Sequence, residues 1–262
     1  MFDSGFGGLT VARATIDLLP GEDLIYLGDT ARYPYGPRPL DEVRAFAAEI
    51  AQHLVERYDI KLLVVACNTA TAAALDDLQK GLNVPVVGVI DAGVRALLEA
   101  SDRGRVGVIG TVGTVESNAY QSALIALAPE VELTCCACPG FVEFVEKGVM
   151  FGPEVELLTS RLLAPIVDAN VDALLLGCTH YPYLARTISD AVGKQVVLVS
   201  SADETAFALA QILDENGLHN PPSEAPGTQQ FVSSGDIRAF TTLGSRLLGP
   251  ELVDAELWTP TP

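Results

Sequence analysis

The chain has 262 residues, enough for one large domain or for two domains of ordinary size, each with its own core. Hydrophobic residues make up 49% of the sequence, but the apolar runs are only as long as strands, which excludes a protein that spans a membrane through helices. The 34 acidic and 16 basic residues give a net charge of −18, which argues against a protein that coats nucleic acid, because phosphate binding needs clustered cations.

The number of cysteines and the first residues of the chain indicate the cellular compartment of the protein. Five cysteines is an odd number, which fits reduced thiols better than a disulfide framework. The segment from Met1 to Gly5 has neither a basic start nor an apolar signal segment. The sequence therefore predicts a globular, cytoplasmic protein.

Short apolar runs alternate along the chain with longer stretches whose apolar residues recur every three or four positions. The runs predict strands at 23–27, 61–66, 84–90, 105–109, 131–136, 171–176, 195–199 and 231–235. The longer stretches predict helices at 9–19, 40–58, 69–80, 92–101, 116–127, 153–169 and 204–216. This alternation is typical of a parallel α/β sheet in which helices form the crossovers. The Pro-rich segment 219–227 is interpreted as a surface loop.

Cys67 and Cys178 have matching settings in the two halves of the chain, because each follows an apolar run and precedes a short polar turn. Ligands of open α/β sheets bind at the carboxyl ends of strands, so both thiols are expected in a cleft. Helix N–H groups beside each sulfur are expected to lower its pKa and favour the thiolate. Two bases on opposite sides of one carbon can invert the configuration of that carbon, which suggests a racemase. Alternatively, each cysteine alone is a small buried hydrophobic residue.

Polar residues follow other predicted strand ends. The turn from Asp3 to Gly8 precedes a helix and offers N–H groups to an anion, although it also fits an ordinary helix start. The segment from Gly28 to Gly36 combines an acid with aromatic and turn residues, and it also fits a rigid turn. His180 can assist proton transfer at Cys178, or it can be a structural, hydrogen-bonded histidine.

The cluster Cys135-Cys136-Ala137-Cys138 invites a metal interpretation. Alternation along a strand sends Cys135 and Cys136 to opposite faces, and the sequence has no second Cys or His pair to complete a tetrahedral set. We therefore expect no metal site, and we expect these cysteines to pack in the core.

Four segments together resemble the signatures of the bacterial glutamate racemase family, in the family's order. They are Phe2-Asp3-Ser4-Gly5-Phe6-Gly7-Gly8-Leu9-Thr10, Gly28-Asp29-Thr30 followed by Tyr33-Pro34-Tyr35-Gly36, Ala66-Cys67-Asn68-Thr69-Ala70, and Leu176-Gly177-Cys178-Thr179-His180-Tyr181-Pro182. The similarity runs from residue 1 to about residue 248. The joint occurrence is far more specific than any single motif.

The resemblance implies interconversion of L- and D-glutamate without a cofactor, pyridoxal phosphate included, to supply D-glutamate for peptidoglycan. It implies that Cys67 takes the α-proton from D-glutamate with help from Asp3, and that Cys178 takes it from L-glutamate with help from His180. The substrate contacts that it implies are Asp3, Ser4, Tyr35, Gly36, Asn68, Thr69, Thr179 and His180. Thr114 and Glu146 are further candidates.

The resemblance also implies two similar parallel-sheet α/β domains that face each other across a central cleft. The first domain would comprise residues 1–92 plus 204–262 and carry Cys67, and the second would comprise 93–203 and carry Cys178. Dimers are common in the family, so a homodimer is compatible with the resemblance. Family members carry several residues before the first signature, whereas Met1 directly precedes Phe2 here, so the first strand is nearly missing. Either translation begins upstream, or an unusually short strand holds Asp3.

Three other functions remain open from the sequence. A racemase or isomerase that acts on aspartate, hydantoins or another small acid would use the same two cysteines, although the turn motifs favour glutamate. A protein that binds a small acid without reaction would not exchange the α-proton of its ligand with solvent. A thiol-redox protein is disfavoured, because Cys67 and Cys178 lack a resolving neighbour.

Overall fold

The computed structural model describes residues 1–223 and 225–260. Its strands are β1 (Phe2–Asp3), β2 (Leu24–Gly28), β3 (Leu63–Val65), β4 (Val86–Gly88), β5 (Arg105–Gly110), β6 (Glu132–Ala137), β7 (Ala173–Gly177), β8 (Val197–Val199), β9 (Gln229–Ser233) and β10 (Glu256–Leu257). The first sheet has the order β10-β9-β2-β1-β3-β4, and the second has the order β6-β5-β7-β8. Every pairing between these strands is parallel. The predicted fold class, two parallel-sheet α/β units, is confirmed.

Helices connect the strands and cover the sheets. They are α1 (Leu9–Leu18), α2 (Leu40–Tyr58), α3 (Asn68–Gly81), α4 (Val89–Ala100), α5 (Val112–Glu116), α6 (Ala119–Leu127), α7 (Phe141–Glu146), α8 (Pro153–Leu162), α9 (Ala164–Asp168), α10 (Ala185–Val192), α11 (Ala202–Asn216) and α12 (Ile237–Leu247), with a 3-10 turn at Tyr181–Leu184. Within residues 1–223 and 225–260, no helix combines the length and the apolar character needed to cross a membrane.

Both sheets are buried on both faces, which explains their uninterrupted apolar runs. In β3, Leu63 and Val65 pack into one core, and Val64 packs into a core on the opposite face. The second sheet behaves in the same way. Cys136 belongs to one of its cores, and Cys135 packs against the other. The expectation that these two cysteines pack on opposite faces of a strand is therefore confirmed.

Most predicted elements differ from the structure only by a few residues at their ends, and three differ for a clear physical reason. The predicted strand 84–90 is cut to Val86–Gly88, because α4 already begins at Val89. The predicted helix 116–127 is interrupted at Asn118, whose φ of 57° is left-handed. The predicted helix 153–169 divides at Leu163, where Pro165 has no N–H to continue the helical hydrogen bonds.

The carboxyl ends of the two sheets lie close together. β1 is only two residues long, as expected, and it is held by hydrogen bonds from Ala66 N–H to the Phe2 carbonyl and from Asp29 N–H to the Asp3 carbonyl. Across the gap between the sheets, Gly113 N–H donates to the Gly36 carbonyl at 3.0 Å. The loops after β1, β2, β3, β5 and β7 therefore share one small volume of space.

Candidate active site

A narrow cavity of about 20 Å³ lies between the two sheets at their carboxyl ends. Cys67, after β3, and Cys178, after β7, both line it. The other lining residues are Ser4, Tyr33, Pro34, Tyr35, Gly36, Asn68, Thr69, Thr111, Val142, Thr179 and His180. The two thiols therefore reach the same cavity from different sheets.

The structure brings most of the residues singled out in the sequence into this lining. Asp3 is not part of it, but Asp3 is fully buried and accepts a hydrogen bond from the lining residue Thr179 at 3.4 Å. Thr114 lies behind Thr69, and its hydroxyl is 3.2 Å from the Thr69 hydroxyl. Glu146 lies behind His180, with Oε1 3.4 Å from His180 Nε2.

Cys67 lies at the turn between β3 and α3, with extended backbone angles that aim its side chain ahead of the helix. Burial and, after it, the charge of the nearby Asp3 carboxylate raise the pKa of Cys67 from its ordinary value of 9.0 to about 12. Hydrogen bonds from Ala70 N–H and Ser4 act in the opposite direction. The expectation of a lowered pKa was therefore wrong for Cys67, because loss of hydration outweighs the helix N–H groups.

Cys178 follows β7 at the turn that leads into the 3-10 segment. Burial raises the pKa of Cys178 well above its ordinary value, and the hydrogen bond from His180 N–H opposes this change. Its Sγ lies 4.0 Å from His180 Nδ1. The expectation of a lowered pKa was also wrong here, for the same reason, so both thiols are protonated in the protein as described.

Asp3 is held rigidly behind Cys67. Its Oδ1 accepts a hydrogen bond from Gly5 N–H at 2.8 Å. Burial raises the pKa of the Asp3 carboxyl, although the charge of His180 and the Gly5 hydrogen bond oppose that rise. A buried carboxylate with a raised pKa is a better proton acceptor than one in water.

The Tyr35–Gly36 segment is fixed by a buried acid that the sequence motifs did not assign. The Tyr35 hydroxyl donates to Asp29, and Asp29 also accepts hydrogen bonds from Ser234 and Arg32. The Arg32 guanidinium lies over the Phe46 ring, 4.2 Å from its centroid. Asp29 therefore ties the loop after β2 to the edge of the first sheet.

Three threonine hydroxyls form a closed triangle beside the cavity. The Thr69 hydroxyl lies 3.0 Å from that of Thr111 and 3.2 Å from that of Thr114, and Thr111 and Thr114 are 3.0 Å apart. Sequence reasoning missed Thr111, although it follows β5 directly and shares the strand-end position of the other candidates. The triangle joins the two sheets and presents hydroxyl groups to the cavity.

Two further polar groups stand out by their burial. Asn68 Oδ1 accepts a hydrogen bond from the Tyr120 hydroxyl, but Asn68 Nδ2 is buried and makes no hydrogen bond to any described residue. Tyr33 was not singled out as a site residue, yet its ring lies beside His180 with centroids 6.1 Å apart.

In residues 1–223 and 225–260, no group of three or more His, Cys, Asp or Glu side chains is arranged to hold a metal ion.

Comparisons with known proteins bear on this arrangement. A model of the Asp/Glu/Hydantoin racemase family matches residues 10–208. Over 252 residues the chain is 50% identical to the glutamate racemase of Parafrankia sp. (strain EAN1pec), which covers 96% of this chain and 91% of that protein. The chain belongs to the glutamate racemase family. It is therefore an isomerase, and the family resemblance of its motifs is confirmed.

Solved structures of glutamate racemases share the fold. Isoform RacE1 from Bacillus anthracis superimposes with a TM-score of 0.91 at 39% identity, covering 99% of this chain and 96% of that one. The Francisella tularensis glutamate racemase, solved in complex with D-glutamate, gives a TM-score of 0.90 at 35% identity and covers 98% and 96% of the two chains. The likeness thus extends over both sheets.

Proposed function

We propose that this protein interconverts L-glutamate and D-glutamate by a two-base proton transfer without a cofactor. The observation that carries the proposal is that Cys67 and Cys178 line one narrow cavity from different sheets. A substrate carbon held between two such sulfurs can lose a proton to one and gain a proton from the other on the opposite face. Glutamate is the substrate favoured by the relatives, one of which was solved with D-glutamate.

Each direction of the reaction uses one sulfur as the base and the other as the acid. The Cys67 thiolate takes the α-proton of D-glutamate, and the Cys178 thiol then protonates the planar carbanion to give L-glutamate. The reverse reaction exchanges these roles. The cavity has to place each sulfur within about 3 to 3.5 Å of the α-carbon, because proton transfer needs such an approach.

Both thiols are protonated at rest, so one of them has to lose its proton before each turnover. Asp3 is the acceptor that we assign to Cys67, because this buried carboxylate lies near that sulfur and has a raised pKa. His180 is the acceptor that we assign to Cys178, because its Nδ1 lies 4.0 Å from the sulfur. The ammonium group of the bound substrate would add a positive charge that favours each thiolate.

The substrate needs donors for two carboxylates. We assign its contacts to Asp3, Ser4, Tyr35, Gly36, Asn68, Thr69, Thr179 and His180. The unpaired Asn68 Nδ2 and the first N–H groups of α3 are donors already aimed at an anion. Thr69 and Thr111 line the cavity, and either can turn its single hydroxyl hydrogen from the triangle towards a second carboxylate. The N–H donors need no such rearrangement, so they stabilise the developing negative charge without reorganisation.

The proposal extends to the organisation and the role of the protein. We assign residues 1–92 plus 204–262 to one domain and 93–203 to the other, which the division of the strands into two sheets supports. The D-glutamate produced would supply peptidoglycan synthesis in the bacterial cytoplasm. We also propose a homodimer, which sedimentation of the purified protein would test.

The test is a racemisation assay on purified protein with L- or D-glutamate and no added cofactor, followed by circular dichroism. We expect Cys67→Ser and Cys178→Ser each to lose at least about 100-fold in rate with the fold intact, because an alcohol is a much weaker acid–base group than a thiol. Cys135→Ser is the matched control, because Cys135 packs outside the cavity, and it should retain activity.

Two outcomes would contradict the proposal. Full activity in either cavity cysteine variant would rule out the two-base mechanism. Failure of the wild-type protein to incorporate solvent deuterium at the α-position of glutamate would instead indicate a binding protein. Racemisation of aspartate in preference to glutamate would show that the substrate is aspartate and leave the two-base mechanism in place.

A further inference from the structure

Three buried polar atoms belong to side chains that lie together on the Cys178 side of the cavity, and the mechanism above does not use all of them. They are Tyr33 Oη, Glu146 Oε1 and His180 Nε2, and none makes a hydrogen bond of good geometry with any described residue. His180 Nε2 and Glu146 Oε1 are nevertheless only 3.4 Å apart. Buried polar groups are costly to leave unpaired, so the cluster calls for a functional explanation.

Tyr33 approaches this cluster from the other side of the cavity. It lies in the loop after β2 of the first sheet, whereas Glu146 ends α7, which packs with the second sheet. Burial raises the pKa of Tyr33, and the nearby Glu146 carboxylate raises it further. Its hydroxyl therefore keeps its proton and is available as a donor at every working pH.

The tautomer of His180 depends on the group that its Nε2 contacts. A neutral imidazole carries its proton on one nitrogen and a lone pair on the other, and the hydrogen bond at one nitrogen decides which is which. If Glu146 accepts the Nε2–H, the lone pair lies on Nδ1, which faces Cys178 Sγ. A misplaced Glu146 would leave the two tautomers in competition.

We propose that Tyr33 is a positioning residue that reaches across the cavity, donates its hydroxyl hydrogen to Glu146 and so holds that carboxylate against His180 Nε2. This inference rests on the proposed racemisation. The Cys178 proton passes from Sγ to Nδ1 and returns along the same path, with no change of oxidation state. Catalytic hydrogen bonds are often long in a protein without substrate and tighten in the substrate complex, which accounts for their loose geometry here.

The test compares Tyr33→Phe with wild type, because phenylalanine keeps the ring beside His180 and removes only the hydroxyl. We expect kcat/KM to fall about 10-fold for both enantiomers, since poor positioning of a reacting group commonly costs that much or more. The fall has to be equal in the two directions, because the equilibrium constant between enantiomers is one.

In Tyr33→Phe, the isotope effects on kcat/KM measured with the two α-deuterated enantiomers should change in opposite directions. With L-[α-²H]glutamate, Cys178 breaks the labelled bond, so the isotope effect on kcat/KM should rise towards its intrinsic value. With D-[α-²H]glutamate, Cys67 breaks the labelled bond before the slowed Cys178 step, so the isotope effect should fall. A hydroxyl that only stabilised the fold would lower the active fraction and leave both isotope effects at their wild-type values.

Two controls sharpen the test. Tyr181→Phe removes a buried hydroxyl that donates to the Cys138 carbonyl at 3.1 Å, so it should lower stability and leave the isotope effects unchanged. In a Glu146→Gln background, adding Tyr33→Phe should cause little further loss, because residues that act through one another are not additive.

Each remaining result decides the matter. If wild type racemises glutamate and Tyr33→Phe matches it in rate, or if Tyr33→Phe is slower with both isotope effects unchanged, this inference is wrong and the proposed function stands. If the losses in kcat/KM caused by Tyr33→Phe and by Glu146→Gln multiply in the double variant, the inference is also wrong. An inactive wild type would overturn both.

Discussion

At the residue scale, burial controls the acid–base chemistry of the cavity. The raised pKa values of Cys67, Cys178 and Asp3 have burial as their largest cause. A buried thiol with a raised pKa is neutral when it is idle and becomes strongly basic once it is ionised, and a buried carboxylate with a raised pKa accepts a proton more readily than one in water. This pairing of properties suits a reaction that has to remove a weakly acidic α-proton.

Asp3→Asn separates the stability of the protein from its activity. Because the folded-state pKa of Asp3 is raised, the carboxyl stabilises the wild-type fold only at low pH, and that contribution is lost as pH rises through the folded-state pKa. Asparagine keeps the acceptor for Gly5 N–H and does not titrate. We therefore expect a higher urea midpoint than wild type at pH 7, no difference at pH 3, and a rate at least about 100-fold lower.

Asp172 is the matched control because its pKa shift has the opposite sign. Burial opposes ionisation there, but hydrogen bonds from Ser101 and from Arg103 N–H lower the pKa of Asp172 below its ordinary value. Asp172→Asn should therefore lose stability at pH 7, lose less at low pH, and keep its activity. An Asp3→Asn protein that is destabilised at neutral pH would contradict the assignment of Asp3 as a buried acid whose pKa is raised.

At the element scale, the turn between β1 and α1 has to fit closely against the turn after β7. A Cβ at Gly7 would lie 2.1 Å from Thr179 Oγ1 and 2.6 Å from His180 Nδ1. Only glycine allows this approach, so the residue type at position 7 fixes how near the two turns come. The positions of Asp3 and His180 depend on the same contact.

Gly7→Ala should therefore lower kcat/KM about 10- to 100-fold, because it pushes the two turns apart by roughly an ångström. Gly21→Ala is the control, since a Cβ at Gly21 would meet nothing within 4 Å. Both are measured in the racemisation assay, with thermal unfolding to verify the fold. Equal activity of the two variants would show that the turns do not need this contact.

Long periodic elements were predictable from the sequence, and short or interrupted elements were not. Helix α2 has its predicted bounds, 40–58, because five turns of amphipathic pattern outweigh local effects. The break at Asn118 depends on one left-handed backbone angle, which the surrounding helical pattern conceals. The short helices α5, α7 and α10 carry too few turns for a period to be visible.

The candidate site was predictable where a residue directly follows a strand or opens a helix, as Cys67, Asn68 and Cys178 do. Tyr33 and Thr111 escaped because their contacts are made across the cavity by segments distant in sequence. The direction of the thiol pKa shifts was wrong because it depends on how completely both sheets exclude water. That quantity is a property of tertiary packing.

At the scale of the whole molecule, the cavity has to open for turnover. Its volume of about 20 Å³ holds about one water molecule, and glutamate is several times larger. The hydrogen bond from Gly113 N–H to the Gly36 carbonyl and the threonine triangle join the two sheets across this space. Substrate entry therefore requires the two halves to separate, at least at these contacts.

Hydrogen exchange at the Gly113 amide reports this opening. We expect exchange to be slower, by about 10-fold or more, at saturating glutamate than in the free protein, because glutamate enclosed between the two halves holds them together once this contact has reformed around it. The Leu175 amide, inside β7, is the reference, and its exchange should slow only as far as the overall stability of the protein rises. Exchange at Gly113 that is indifferent to glutamate would argue against opening at this contact.

The protonated state of the two cavity thiols also bears on how the protein tolerates oxidants. Peroxides attack thiolates much faster than thiols, and they attack buried sulfur slowly. Cys67 and Cys178 are both buried, and burial keeps each of them protonated in the free protein; under the proposed mechanism, each becomes a thiolate only during turnover. Oxidative damage would therefore reach a working molecule before an idle one.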